Sequence, residues 1–288
     1  MTARVGLIIP SSNRMAEQEM VPAFPPGVQA HVTRLRMTGS QHLTTEQLLP
    51  RIEEATRALV DARCDVIAFH CTANSMEGGQ EGERQILATL ARAGAPRSTT
   101  TITAIQRAFD ALEARRIVLV TPYTARVTEH EAEFLRRAGY DVLFARGFAL
   151  AGSDAYCATP AGFWRDRVIE VRRPDADAYL VSCANISVFG VIEELEGRLG
   201  RPIVTSNQAV IWDALRLIGR HETRGCPGRL FDIAAAQEPA TASSAAEPRG
   251  CILQRRNICF NFRKRQHRAD ALTSAKKSAP LANARRSL

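Results

Sequence analysis

Through the first 231 residues, short apolar runs alternate with longer stretches whose apolar positions recur at helical spacing, and each apolar run closes on small polar residues. Val5-Gly6-Leu7-Ile8-Ile9 leads into Pro10-Ser11-Ser12-Asn13, which predicts a first strand with a polar loop at its carboxyl end. Residues 29–35 read as a second strand. Residues 43–62 place Leu48, Leu49, Ile52, Ala55, Leu59 and Val60 at helical spacing, and Thr44 with Gln47 fits a capping box. Val66-Ile67-Ala68-Phe69 then predicts a buried strand that delivers His70-Cys71-Thr72-Ala73-Asn74-Ser75 to the edge of a sheet. A helix over residues 80–93, a short strand over 99–102 and a helix over 104–114 complete this first series.

The series then repeats. Arg116-Ile117-Val118-Leu119-Val120-Thr121-Pro122 resembles the chain start, and Asp177-Ala178-Tyr179-Leu180-Val181-Ser182-Cys183 resembles the approach to Cys71. Pro10 to Cys71 and Pro122 to Cys183 are both 61 residues, and Asp65 and Asp177 keep the same offset of 112. Past the cysteines, Phe109-Asp110-Ala111-Leu112 aligns with Trp212-Asp213-Ala214-Leu215 at an offset of 103. Alternating strand and helix in each copy predicts an α/β fold of two pseudo-symmetric parallel-sheet halves, because parallel strands need helical crossovers. Ligands of such sheets bind beyond the carboxyl ends of the strands, which puts the active site in the cleft between the halves. The predicted division is 1–115 and 116–206 for the two α/β halves, 207–231 for a closing helix that packs back on the first half, and 232–288 for a basic tail.

Charge sharpens that last boundary. The chain carries +8, but residues 232–288 hold 11 Lys and Arg against 4 Asp and Glu, while the other 231 residues hold 27 against 26. The basic character belongs to the tail, whose Ala-, Ser- and Pro-rich start and sparse apolar periodicity predict disorder. No nucleic-acid partner is expected for the folded body. No window is apolar enough to span a membrane and no signal-peptide pattern opens the chain, so a cytoplasmic protein with no membrane partner is expected. A homo-oligomer is expected as well.

Seven cysteines in such a chain, none in a C-x-x-C pair, do not form a disulfide framework. Cys64, Cys157, Cys226, Cys251 and Cys259 read as small buried or exposed side chains. Cys71 and Cys183 stand apart because the repeat presents both at a strand end before a turn into a helix, where N–H groups and the helix dipole favour a thiolate. His70 is no partner for Cys71, since neighbours on a strand point to opposite faces. No metal site is expected, because neither cysteine has a second ligand at short spacing, and there is no P-loop or dinucleotide fingerprint. Around the predicted cleft stand Ser11, Ser12, Asn13, Thr72, Asn74, Ser75, Thr121, Tyr123, Thr124, Asn185, Ser206 and Asn207, polar but uncharged groups able to hold a small carboxylate.

Pro10-Ser11-Ser12-Asn13, Cys71-Thr72, Thr121-Pro122-Tyr123-Thr124, Ser182-Cys183-Ala184-Asn185, residues 202–208 and Gly228-Arg229-Leu230-Phe231 together resemble the aspartate/glutamate racemase superfamily, in its maleate cis-trans isomerase branch. The resemblance spans about residues 4 to 231. It implies catalytic Cys71 and Cys183, with Ser11, Asn13, Thr72, Tyr123, Ala184 and Asn185 around the substrate and no metal or organic cofactor. Cys71 would be the nucleophile on a small dicarboxylate such as maleate, and Cys183 the acid and base. Where that branch tends to have asparagine, this chain has Thr128-Glu129-His130 and an asparagine-free 152–159 segment. Related alternatives are an amino-acid racemase, although Thr72-Ala73 and Ala184-Asn185 stand where racemases have Asn-Thr and Thr-His, and an arylmalonate-type decarboxylase, whose branch resembles a one-cysteine site. A catalytically idle carboxylate-binding protein is the alternative of a different class.

Overall fold

The computed structural model describes residues 2–37, 43–221 and 225–233. The predicted tail, apart from Asp232 and Ile233, lies outside the described residues. The first half runs β1 (Ala3–Pro10), α1 (Ala16–Ala23), β2 (Val28–Leu35), α2 (Thr45–Asp61), β3 (Val66–Phe69), α3 (Thr72–Met76), α4 (Gly79–Arg92), β4 (Ser98–Thr100) and α5 (Thr101–Ala111). The second runs β5 (Arg116–Thr121), α6 (Ala125–Arg137), β6 (Asp141–Gly147), α7 (Gly152–Ala158), α8 (Ala161–Glu170), β7 (Ala178–Val181), α9 (Ile192–Leu199), β8 (Ile203–Thr205) and α10 (Ser206–Leu217). Each half forms a four-stranded parallel sheet, in the orders β2-β1-β3-β4 and β6-β5-β7-β8.

Strand alternation sorts the core. Val5, Leu7, Ile9, Val66 and Ala68 join Ile117, Leu119, Ala178 and Leu180 in one apolar cluster shared by the halves, together with residues of α5 and α10. The intervening Ile8, Ile67 and Phe69 face the outer layer of the first half, and Val118, Val120, Tyr179 and Val181 that of the second. Helix α10 packs against α5, and also against α1, β3 and β4, so this closing helix covers the first half's sheet.

The repeat has a physical basis at each matched position. Val5 pairs with Val66 as Ile117 pairs with Ala178, which keeps the offset of 112 in the sheet register. Asp65 accepts from the Arg4 N–H at 2.8 Å, and Asp177 accepts from the Arg116 N–H at 2.8 Å, so each aspartate fastens the first strand of its half to the third. The later offset is 105, not 103. Thr100 caps α5 by accepting from the Thr103 N–H, and Thr205 caps α10 by accepting from the Gln208 N–H, both at 3.1 Å. Those caps, worth about 1 kcal/mol each, set the helix starts, and they also end the strand expected over 99–102 at Thr100. Thr101 and Ile102 belong to α5. The expected capping box at α2 is present, with the Thr44 N–H donating to Gln47 Oε1 at 3.1 Å.

In both sheets the chain steps first to one side of the opening strand and then to the other. The crevice of each sheet therefore lies where β1 meets β3 and where β5 meets β7. Pro10 to Asn13 and Cys71 emerge at the first crevice, Tyr123 and Cys183 at the second. No helix among the described residues is long and apolar enough to cross a membrane.

Candidate active site

Cys71 and Cys183, at equivalent strand ends, line one cavity of about 630 Å3. Asn13, Thr72, Tyr123, Ala184 and Asn185 line it too, as do Ser12, Asn74 and Thr124. Sequence reasoning did not single out Met37, Arg126, Val127 or Leu150, which line it as well. These come from loops and a helix end whose positions depend on the fold. Ser11 is elsewhere. Its hydroxyl donates to the Met37 carbonyl at 2.9 Å and accepts the Met37 N–H at 3.0 Å, tying the ends of β1 and β2 together outside the cavity lining.

Two asparagines hold the halves in register. Asn13 Nδ2 donates to the Ala184 carbonyl at 2.9 Å, while its Oδ1 accepts the Ala16 N–H at 2.9 Å and opens α1. Asn185 Oδ1 accepts the Arg14 N–H at 2.8 Å and the Cys157 thiol at 3.2 Å. Thr72 Oγ1 and Ser206 Oγ are 2.9 Å apart, and the Cys183 N–H donates to that same serine oxygen at 3.1 Å. Several of the polar groups expected to bind a ligand thus also join one half to the other.

His70 extends this seam. It is fully buried, with Nε2 2.8 Å from Asn207 Oδ1 and Nδ1 3.0 Å from Thr101 Oγ1. Asn207 Nδ2 in turn donates to Glu19 at 2.8 Å, so its oxygen is the end that faces His70 and the imidazole carries its proton on Nε2. Burial pushes the imidazole down to about 4, against the opposing pull of the Asn207 bond, and the ring is neutral. As alternation required, it points away from Cys71. Asn207 also lies off the cavity, engaged in this chain.

The thiols are less acidic than their place at helix starts suggests. Burial pushes Cys71 up to about 11 and Cys183 up to about 12. The helix after Cys71 is only five residues long, and no cation is among the groups acting on either thiol, so desolvation outweighs the N–H groups. The Cys71 thiol donates to Asn74 Oδ1 at 3.4 Å. Cys183 Sγ accepts the Asn185 N–H at 3.3 Å, and the Tyr123 hydroxyl also favours its thiolate. Tyr123 itself is held protonated by burial and by the neighbouring Cys183 charge.

The two departures from the isomerase pattern take different places. Thr128 is buried beneath β5 with its hydroxyl 2.7 Å from Thr121 Oγ1, away from the cavity. Residues 152–158 form α7, which sets Gly152, Ser153 and Tyr156 against the cavity, Tyr156 in an edge-on contact with Tyr123. No group of three or more His, Cys, Asp or Glu among the described residues could hold a metal ion.

The model of the arylmalonate decarboxylase family matches residues 5–231. This chain belongs to that family. It is 26% identical over 236 residues to the arylmalonate decarboxylase of Bordetella bronchiseptica, covering 80% of this chain and 97% of that one. It is also 26% identical over 235 residues to the maleate isomerase of Geobacillus stearothermophilus, covering 74% and 90%. Among solved structures, the maleate cis-trans isomerase of Nocardia farcinica, in a variant with a covalently bound succinylcysteine intermediate, superposes with a TM-score of 0.73 at 24% identity, covering 80% of this chain and 98% of that one. Within the family the chain therefore shares its fold with the maleate isomerase branch.

Proposed function

We propose that this protein is a cofactor-independent cis-trans isomerase of a small dicarboxylate, converting maleate to fumarate. The observation that carries the reading is the pair of thiols at equivalent strand ends on one cavity. A one-thiol decarboxylase has no use for Cys71, and the succinylcysteine of the Nocardia farcinica enzyme supports a covalent route.

In this reading the reactive form of the pair, a small fraction at neutral pH because burial raises both thiols, carries one proton, on Cys183, the less acidic of the two. The Cys71 thiolate forms a C–S bond to one alkene carbon, and the π electrons pass to the adjacent carbon, which takes the proton from Cys183. Negative charge moves from one sulfur to the other, and the central bond, now single, rotates. The Cys183 thiolate then recovers the proton, the C–S bond breaks, and fumarate leaves. Atoms and electrons balance without a co-reactant. The Tyr123 hydroxyl and the N–H groups of Thr72, Ala184 and the loop after β1 hold the carboxylates, and the Asn185 N–H bond to Cys183 stabilises its transient thiolate.

Proton NMR of the full-length protein with maleate in deuterated buffer tests this. Fumarate formed by the native chain, and absent with Cys71→Ala, is expected. Parallel samples hold L-aspartate, L-glutamate and phenylmalonate. Exchange of an amino-acid α-proton in place of maleate turnover would establish a racemase, and carbon dioxide release from phenylmalonate a decarboxylase. Maleate that binds but stays unchanged would leave an idle carboxylate binder.

A further inference from the structure

The second half encloses a carboxyl group that the thiol chemistry does not touch. Glu131 on α6 occupies the repeat position of Glu19, and Ser182 that of His70, each at the offset of 112. In the first half these positions are joined. Glu19 accepts from the Val188 and Phe189 N–H groups and from Asn207 Nδ2, and the same asparagine accepts from His70. In the second half a serine stands in place of the imidazole. Ser182 is the one side chain that approaches Glu131, but the contact falls short of a formed hydrogen bond, and both Glu131 oxygens and the Ser182 hydroxyl are buried with no other partner. Glu131 does not line the cavity.

A buried carboxylate with no cation and no donor better than one poorly placed hydroxyl is unfavourable, so selection for stability alone would place an apolar residue here. Its surroundings give it a direction of action. Tyr123 and Cys183 both feel its charge, which opposes their ionisation, while the groups acting on Cys71 include no carboxylate. The other charged side chains near it are turned elsewhere. Glu129 and Glu133 pair with Arg136 and Arg137 at the surface, His130 donates to the Met76 carbonyl, and Arg146 of β6 faces Glu170.

We propose that Glu131 is a positioning residue acting through charge: fully buried on α6 and off the cavity lining, out of contact with substrate, it makes Cys183 the thiol that keeps its proton and leaves Cys71 to be the nucleophile. This rests on the two-thiol reading above and supplies what the near-symmetry of the halves withholds, a reason for the thiols to differ. Burial pushes Glu131 up to about 7, so its charge turns on within the neutral range.

Site-resolved alkylation of the substrate-free, full-length protein with iodoacetamide, read by peptide mass spectrometry from about pH 5 to about pH 9, tests the proposal. In the native chain the logarithm of the Cys71 rate should climb steadily with pH. That of Cys183 should flatten near pH 7, where Glu131 ionises and pushes the thiol further up. Glu131→Gln keeps the shape and removes the charge. It should abolish the flattening and speed Cys183 alkylation about tenfold at alkaline pH, one pH unit of acidity, with Cys71 changed less than about twofold. Glu131→Leu should give the same profile. Equal response of both thiols, a glutamine and a leucine variant that differ at Cys183, or a native Cys183 profile without flattening would each overturn it. The native profile decides even if neither variant folds. Because no substrate is present, failure of maleate turnover leaves this result standing.

Discussion

His70→Gln probes the seam between the halves through its response to acid. The folded protein holds the imidazole neutral down to about 4, whereas in the unfolded chain it takes a proton around its ordinary 6.5. The unfolded state therefore binds the extra proton first as pH falls. The stability that His70 confers is complete above pH 6.5 and is lost progressively as pH drops through the folded value. That span of about 2.5 units corresponds to about 3 kcal/mol, and burial of the whole ring leaves no solvent screening to reduce it. Glutamine does not titrate, yet it can offer one donor and one acceptor near Asn207 and Thr101. At neutral pH its cost should be one or two imperfect hydrogen bonds, about 1–2 kcal/mol. Urea unfolding of both proteins at a series of pH values gives the difference curve. The native advantage should shrink, and then reverse, by a total of about 3 kcal/mol between neutral pH and pH 4. Parallel stability curves would refute the reasoning, because they would mean that His70 is not kept neutral in the folded state.

Tyr123→Phe removes the hydroxyl that favours the Cys183 thiolate; the pH profile of Cys183 alkylation should move up by about one to two units, matching the loss of a hydrogen bond to a charged group. Gly147→Ala would drive a Cβ into Thr128 Oγ1 and the Tyr123 carbonyl, with a stability loss of about 1–3 kcal/mol seen as a lower thermal midpoint and with lost turnover as Tyr123 is displaced. Asn13→Ala removes both the bond to the Ala184 carbonyl and the acceptor for the Met15 and Ala16 N–H groups, a loss of about 1–3 kcal/mol in urea. Asn13→Asp keeps the helix cap but sets a carboxylate against that carbonyl, so it should fail to restore stability.

What could be read from the chain beforehand depended on how local the physics was. Strand alternation in Val66-Ile67-Ala68-Phe69 set the opposed directions of His70 and Cys71, and the spacing of 112 carried through to the sheet register because every residue between β1 and β3 is matched by one between β5 and β7. The shift to 105 escaped notice because chemically similar residues, Phe109-Asp110 and Trp212-Asp213, aligned better than the threonine caps that determine where α5 and α10 begin. Ser11 looked available until a partner 26 residues away consumed its hydroxyl. Thiol acidity was misjudged because a sequence displays the helix that follows a cysteine but not the volume of protein that shuts out water. Glu131 had left a trace: it interrupts the buried stripe of Thr128, Ala132 and Leu135 on α6, an acidic residue where packing calls for an apolar one.

The bonds across the seam join residues that leave the ribosome far apart in time. Asn13 waits 171 residues for Ala184, His70 waits 137 for Asn207, and Glu19 waits 188. A nascent first half can pair its own four strands, but the apolar face destined for α10 stays bare and the Nε2–H of His70 lacks its acceptor until α10 is made. Folding is consequently committed late, by contacts of long sequence separation that are slow to form. A premature stop before Ser206 would leave behind a sticky intermediate with two complete sheets and an open flank, a substrate for chaperones and proteases and not a weakened enzyme.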